Sequence, residues 1–386
     1  MLNTPPDDVP DADYSSADLD DSATIDGDVT EAERRDIERE QAELRELVKT
    51  FSVSDIRSGN WFEKLLTHSL KAYTEQVDAK YFQDKYPGLP ADVVVRQRIK
   101  TAARYASIEG GLTASAYTGA VAATIGSAGG ASPLAVPAGM TTVLVDVAYL
   151  TRLQLHLAYD TAVLYRVPLN LEDPEDLWKL IKVAFTIKAG EAVGGGALRA
   201  VPLGVRPLVK RFISGPTLAG VRGLPVVGKF LLQRNIIKIG IPLVGIPLAV
   251  TINHFSTKAV GAHAQAIFRD EARIIERAGK LARNTQHPQL LLWVSMIVIL
   301  ADGKSSDQET LLLKHMSRAL YEQHQLDDAE FTNTISFDEA EVWARVRETT
   351  GDRSDLLEAA EAVAGIDGKI TKNEQRVLDK LKAVIG

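Results

Sequence analysis

The 386-residue chain contains no cysteine. That excludes disulfides, thiol nucleophiles, cysteine-built zinc sites and cysteine-ligated iron–sulfur clusters, and it suits a reducing cytosol. Aromatic residues make up only 6%, which leaves few rings for stacking on nucleic acid bases. Several enzyme signatures are also missing. No G-x-S-x-G elbow and no H-E-x-x-H pair occurs, and the seven histidines are scattered. His254 and His263 are not at a metal-pair spacing on one helix face and read as structural. The run from Gly223 through Gly228, Lys229 and Phe230 imitates a P-loop, but it lacks the Ser or Thr that holds magnesium. Pro225 also removes one amide donor. The start, MLNTPPDDVPDADYSS, has neither a basic region nor an apolar core of the secretory kind, and residue 2 is Leu rather than a myristoylated Gly. A cytoplasmic protein is expected.

Charge of one sign is missing from whole segments. Residues 1–33 hold eleven acidic residues, nine of them aspartates from Asp7 to Asp28, and no Lys or Arg. Residues 192–269 hold ten Lys or Arg and no acid. From Gly110 to Val145, thirty-six residues pass without any charge. The net charge of −7 averages over these opposed segments, so partners must be argued segment by segment. What remains is ordinary for globular protein: 45% hydrophobic and 25% charged residues in 42.0 kDa, enough for about two or three domains.

The periodicity predicts an all-α fold. Residues 1–30 carry too few large apolar side chains to offset ordering and are expected to be disordered. Helix is expected from near Thr30, with sparse apolar positions at Ile37, Leu44, Leu47, Val48 and Phe51 that suggest a surface or partner-facing helix. A second helix is expected over about 60–84, with Trp61, Phe62, Leu65, Leu66 and Leu70 on one face. Another should run from Ala91 to Glu109. The charge-free stretch reads as two packed helices joined near Gly129–Pro133, the second continuing to about Tyr165. Asp173-Pro174-Glu175 starts a further helix, expected to reach Ala192. Residues 194–250 alternate Gly and Pro with aliphatic and basic residues and suit short helices and turns. A long helix follows from about Val250 to Ala282, and Asn284–Pro288 marks a domain boundary.

The most specific local feature is duplicated. Asp302-Gly303-Lys304 is followed by Glu309, and Asp367-Gly368-Lys369 by Glu374, with an Asp-to-Glu spacing of seven in both copies. This matches part of an EF-hand loop, yet its first and third ligands would be Val298 and Leu300, or Val363 and Gly365, which offer no side-chain oxygen. Ser306-x-x-Glu309 and Thr371-x-x-Glu374 read as capping boxes, so each copy is helix, tight turn, helix. Capping accounts for the Gly, Ser/Thr and Glu but not for the Asp and Lys beside each Gly. The segments WVSMIVILADGKSSDQETLLL and AAEAVAGIDGKITKNEQRVLDKL resemble the paired halves of a tellurite-resistance TerB-like domain, over about 289–386. The resemblance implies a small helical bundle with a duplicated core. It also implies a divalent cation, Ca or Mg, held by acidic residues near the turns: Asp302, Glu309, Asp367 and Glu374.

A second resemblance covers about 60–283. The stretches GAVAATIGSAGGASPLAVPAGM, VLVDVAYLTRLQLHLAYDTAVLYRVPL and IPLVGIPLAVTINHFSTKAVGAHAQAIF resemble the EcsC family. The chain departs from the family pattern at Leu164-Tyr165-Arg166, where a tyrosine–glycine pair would close the helix. The family is named from a gene beside an ABC transporter and implies a fold rather than a reaction. Small residues at close spacing suit tight helix contacts, whether in a protein core or at a membrane. The charge-free run has the length of a span, but Gly129-Gly130, Pro133 and Pro137 interrupt it.

The acid-free stretch points to an anionic surface. Arg199, Arg206, Lys210, Arg211, Arg222, Lys229, Arg234 and Lys238 are interleaved with Val, Leu, Ile, Phe and Pro, a composition that suits anionic lipid. No nucleic acid partner is expected. The sequence thus divides into an acidic tail (1–30), a helical lead-in (31–59), an EcsC-like part (60–283) and a TerB-like bundle (284–386). The leading expectation is a non-enzymatic protein of envelope or stress response, peripheral at the inner face of the membrane. It would dock on anionic lipid or a membrane protein, with a TerB-like part that binds metal or a protein partner. The alternatives are an enzyme with a small apolar substrate that uses Asp146 or Glu191, and a soluble scaffold.

Overall fold

The structure, a computed structural model, describes residues 29–126, 135–185, 245–301, 306–325 and 338–386. Among them there are thirteen helices and no strand, so the fold is all-α as expected. The chain divides into two compact units. Unit 1 holds residues up to Thr161 and Leu169–Ala264; unit 2 holds Ala162–Pro168 and Gln265–Gly386.

In unit 1, α1 (Glu31–Lys49) begins at a complete capping box: Thr30 accepts from the Glu33 amide, and Glu33 accepts from the Thr30 amide. The device recurs just after α1, with Ser52 and Asp55 opening α2 (Val53–Ser58), which Gly59 closes at φ +88°. The expected helix over 60–84 is two, α3 (Trp61–Gln76) and α4 (Ala79–Lys85). The break has a local cause: Val77 is extended, and the Asp78 carboxylate caps a new helix by accepting from the Tyr81 amide at 2.7 Å. Trp61, Phe62, Leu65, Leu66 and Leu70 are all buried, as their spacing predicted. α1 is corrected in turn. Ile37, Leu44 and Val48 are buried, so its few apolar positions belong to the core of the unit rather than to a free surface.

The helix predicted to end at Glu109 continues as α5 (Ala91–Gly126), and its partner is α6 (Ala135–Leu164). The joint at 127–134 lies outside the described residues. α7 (Pro174–Ala184) starts on the Asp173 cap with Pro174 in its first turn, and ends eight residues before the expected Ala192, with Phe185 as C-cap. α8 (Gly245–Asn284) is longer than predicted at both ends, and its first part, through Ala264, belongs to unit 1. Small residues set its approach. A Cβ on Gly261 would stand 2.5 Å from Ile99 Cγ1 and 3.1 Å from Leu157 Cδ2, so only glycine lets α8 meet α5 and α6 there. Phe62 and Phe185 meet edge to face at 5.7 Å, which ties α3 to the end of α7.

Unit 2 is built around α9 (Pro288–Leu300), an apolar helix that packs against α10 (Asp307–His324), α11 (Glu339–Glu348), α12 (Ser354–Ala364) and α13 (Lys372–Ile385). A helix with so little polar face is stable only when surrounded, and Leu291, Val294 and Val298 are completely buried. Burying each such side chain contributes about 1.5–3 kcal/mol. The chain turns at Thr285–His287, where Thr285 donates to Asp355 at 2.6 Å and Pro288 opens α9. Arg353 fastens two helix ends by donating to the carbonyls of Val346 and Ile385.

Candidate functional site

In both copies of the duplicated motif the helix that carries the glutamate starts the same way. Ser306 accepts from the Glu309 amide at 3.1 Å, and Glu309 accepts from the Ser306 amide at 2.6 Å. Thr371 accepts from the Glu374 amide at 3.3 Å, and Glu374 accepts from the Thr371 amide at 2.6 Å. These bonds satisfy helix N-terminal donors that would otherwise be orphaned. They also fix both glutamates facing inward: Glu309 is 4% exposed and Glu374 3%. The two carboxyl groups meet each other. Burial raises the Glu309 carboxyl, the Ser306 capping bonds oppose that, and the neighbouring Glu374 carboxyl raises it further. Two carboxylates brought together out of water favour a shared proton or a cation.

Asp367 has a different place. It is exposed in the second turn, where its carboxylate accepts from the Lys369 amide at 2.9 Å while Gly368 takes φ +79°. This turn bond explains an aspartate that helix capping left unexplained. Asp302 lies outside the described residues. Of the four residues that the TerB resemblance singles out, Glu309 and Glu374 are brought together and Asp367 sits in the loop beside Glu374's helix. Their oxygens suit a hard cation such as Ca or Mg in kind. Among the described residues no cluster of three or more His, Asp or Glu could hold a metal. The pair alone offers two carboxylates.

Unit 1 carries polar groups in its interior that the sequence reading did not single out. Asp160 is completely buried and accepts from Tyr73 Oη at 2.6 Å and from Arg98 Nε and Nη2 at 2.8 and 2.6 Å. Burial raises the Asp160 carboxyl, and Arg98 and Tyr73 oppose that. His156 stacks flat on Tyr73, with centroids 3.6 Å apart, and its Nε2 bonds the Ser69 carbonyl at 2.8 Å. Burial holds this imidazole down to about 3, so it is neutral with the proton on Nε2. The available sequence signal was an aspartate inside the apolar run LHLAYDTAV.

A second buried group gathers around Glu109. Gln41 and Asn253 each reach its carboxylate at 3.4 Å. Two residues away, Ser107 lies 3.0 Å from His254 Nδ1 and donates to the Ala103 carbonyl at 2.9 Å. Ser107 thus bridges the Ala103 carbonyl and the His254 ring inside the unit. Asp146 is buried and has a polar partner. Glu191 and the eight basic residues Arg199, Arg206, Lys210, Arg211, Arg222, Lys229, Arg234 and Lys238 lie outside the described residues. No described helix is long and apolar enough to cross a membrane.

Comparison of the chain with protein-family models, with curated proteins and with solved structures gives no match.

Proposed function

We propose that the chain is a non-enzymatic protein of envelope or stress response that associates peripherally with an anionic membrane face. In this reading it joins an EcsC-like part to a TerB-like part that responds to a divalent cation. The observation that carries the second half is the meeting of Glu309 and Glu374. Two equivalent capping boxes deliver two buried carboxyl groups to one place, and bound Ca or Mg relieves their repulsion. The docking half rests on the sequence: eight basic residues from Arg199 to Lys238, interleaved with aliphatic ones and free of acid, attract anionic lipid by about 1 kcal/mol each near the surface. The acidic tail competes for the same basic residues.

Flotation of the purified chain with liposomes tests the reading. Neutral and anionic vesicles are compared at low and high salt, with and without Ca or Mg. Salt-sensitive flotation on anionic vesicles only, altered by the cation, supports it. Salt-resistant flotation on both vesicle types replaces surface docking by insertion. No flotation under any condition removes the membrane role and leaves a soluble scaffold as the better reading.

A further inference from the structure

We propose that α1 is a releasable strap over a polar trough in unit 1, pinned by two ion pairs beside a narrow apolar stripe and loosened when anions compete for Arg104 and Arg152. The helix touches the rest of the unit through one narrow apolar stripe, Ile37, Leu44 and Val48. Polar cross-contacts stand beside it. Arg104 grips Glu33 as a fork, Nε to Oε1 at 2.6 Å and Nη2 to Oε2 at 3.0 Å. Arg152 Nη1 reaches Glu43 at 3.2 Å, and Gln41 reaches Glu109 at 3.4 Å. Both ion pairs are partly open to solvent, with Glu33 20% and Glu43 49% exposed, so dissolved salt weakens them.

The floor beneath α1 gains from release. Tyr149 Oη and Arg152 Nε are buried in the closed state without a hydrogen-bond partner. Glu40, on the strap itself, feels the Arg152 charge and is held in its acid form more readily by burial. Water would supply all three groups once the strap lifts, so the closed and open states differ less than the contact area suggests.

Both ends of the strap are built to survive release. The Thr30–Glu33 box lies within α1 and its cap, and the Ser52–Asp55 box starts α2 independently. The exposed side carries its own ion pairs, Glu31–Arg35, Asp36–Arg39 and Glu46–Lys49, which support a helix away from its floor. Opening exposes a trough lined by Tyr105, Glu109, Tyr149 and Arg152 on α5 and α6.

Hydrogen exchange of the full chain, read by mass spectrometry, tests the strap. The amides of Glu31–Lys49 should exchange as one unit, faster than those of α5 between Val94 and Glu109, and faster again at high salt or with added inorganic phosphate. R104E should speed α1 exchange about tenfold, the loss expected for a two-pronged charged contact, and E33R with R104E should restore it. E33Q weakens the fork while keeping the cap acceptor, and gives a smaller acceleration in the same direction if R104E does not fold. Exchange of α1 in step with α5, or rates indifferent to salt, phosphate and E33Q, would overturn the proposal.

Discussion

The two units bury different things. Unit 2 closes around α9, whose Leu291, Val294 and Val298 meet the apolar sides of the surrounding helices, and its buried polar groups are a carboxyl pair at the starts of two helices, Ser295 on α9, Thr285, and His315 with Glu271 at 3.1 Å. Unit 1 runs polar groups through its interior: Ser107, Glu109, Asp146, Asp160, Asn253 and His254 are all buried. An apolar core gains stability from area and tolerates volume-conserving change. A polar interior depends on each partner being present, because an orphaned buried charge costs more than a lost contact. The same chain thus holds one unit centred on an apolar helix and another whose largest buried network joins Tyr73, Arg98 and Asp160, where single atoms should matter most.

The sharpest break in that comparison is Asp160→Asn. It keeps the shape but leaves Arg98 partly buried without its counter-charge, and Tyr73 facing a weaker acceptor. Unit 1 should lose about 3–5 kcal/mol, measured as a fall in the urea midpoint reported by Trp61, which belongs to that unit. Hydrogen exchange within α12 and α13 of unit 2 should stay as in the unaltered chain. A loss below about 1 kcal/mol would mean that the network only fills space and that the contrast between the units is overdrawn.

His156 sharpens the comparison through pH. Burial depresses its folded value to about 3, against about 6.5 when unfolded. The unfolded chain therefore binds the proton first. The stability that goes with the neutral ring is whole above pH 6.5 and drains away as the pH falls below it. By pH 5 the loss is about 2 kcal/mol. Urea midpoints at pH 7 and pH 5 should show it for the native chain. His156→Gln, which keeps a donor for the Ser69 carbonyl, should flatten the difference. An equally steep acid limb in that variant would assign the effect to other groups.

Legibility followed the range of each interaction. The capping boxes at Ser306 and Thr371, the Asp173 cap and the buried face of α3 were read correctly, because each is settled within one or two helical turns. The helix expected over Ala91–Glu109 and the first helix of the charge-free stretch are one element, α5, because nothing in the local sequence settles whether a helix runs on through Gly110 and Gly111. A Cβ on Gly111 would stand 3.5 Å from Val250 Cγ2 of α8, an ordinary contact. α1 was misjudged for the same reason: its three apolar anchors are few, and Arg104 and Arg152, which complete its seat, lie 71 and 109 residues from their glutamates. Asp160 and Arg98 are 62 residues apart, and nothing local announces their meeting. The duplicated turns were legible as a pattern. That Glu309 and Glu374 face one another is a tertiary fact, which spacing along the chain does not contain.

That facing pair gives the smallest expected effect and separates a cation site from simple capping. Glu374→Gln keeps an oxygen for the Thr371 amide, so the helix start survives, and it removes one of two charges that repel across a buried contact. Without added metal the variant should equal the native chain or exceed it by at most about 1 kcal/mol. With millimolar-range Ca or Mg the native chain should rise in thermal midpoint, since a ligand bound only to the folded state stabilises it by mass action, and the variant should not. A rise of equal size in both would place the cation elsewhere. No rise in either, with the variant the more stable, would leave the glutamates as caps that share a proton, with no part in binding a cation.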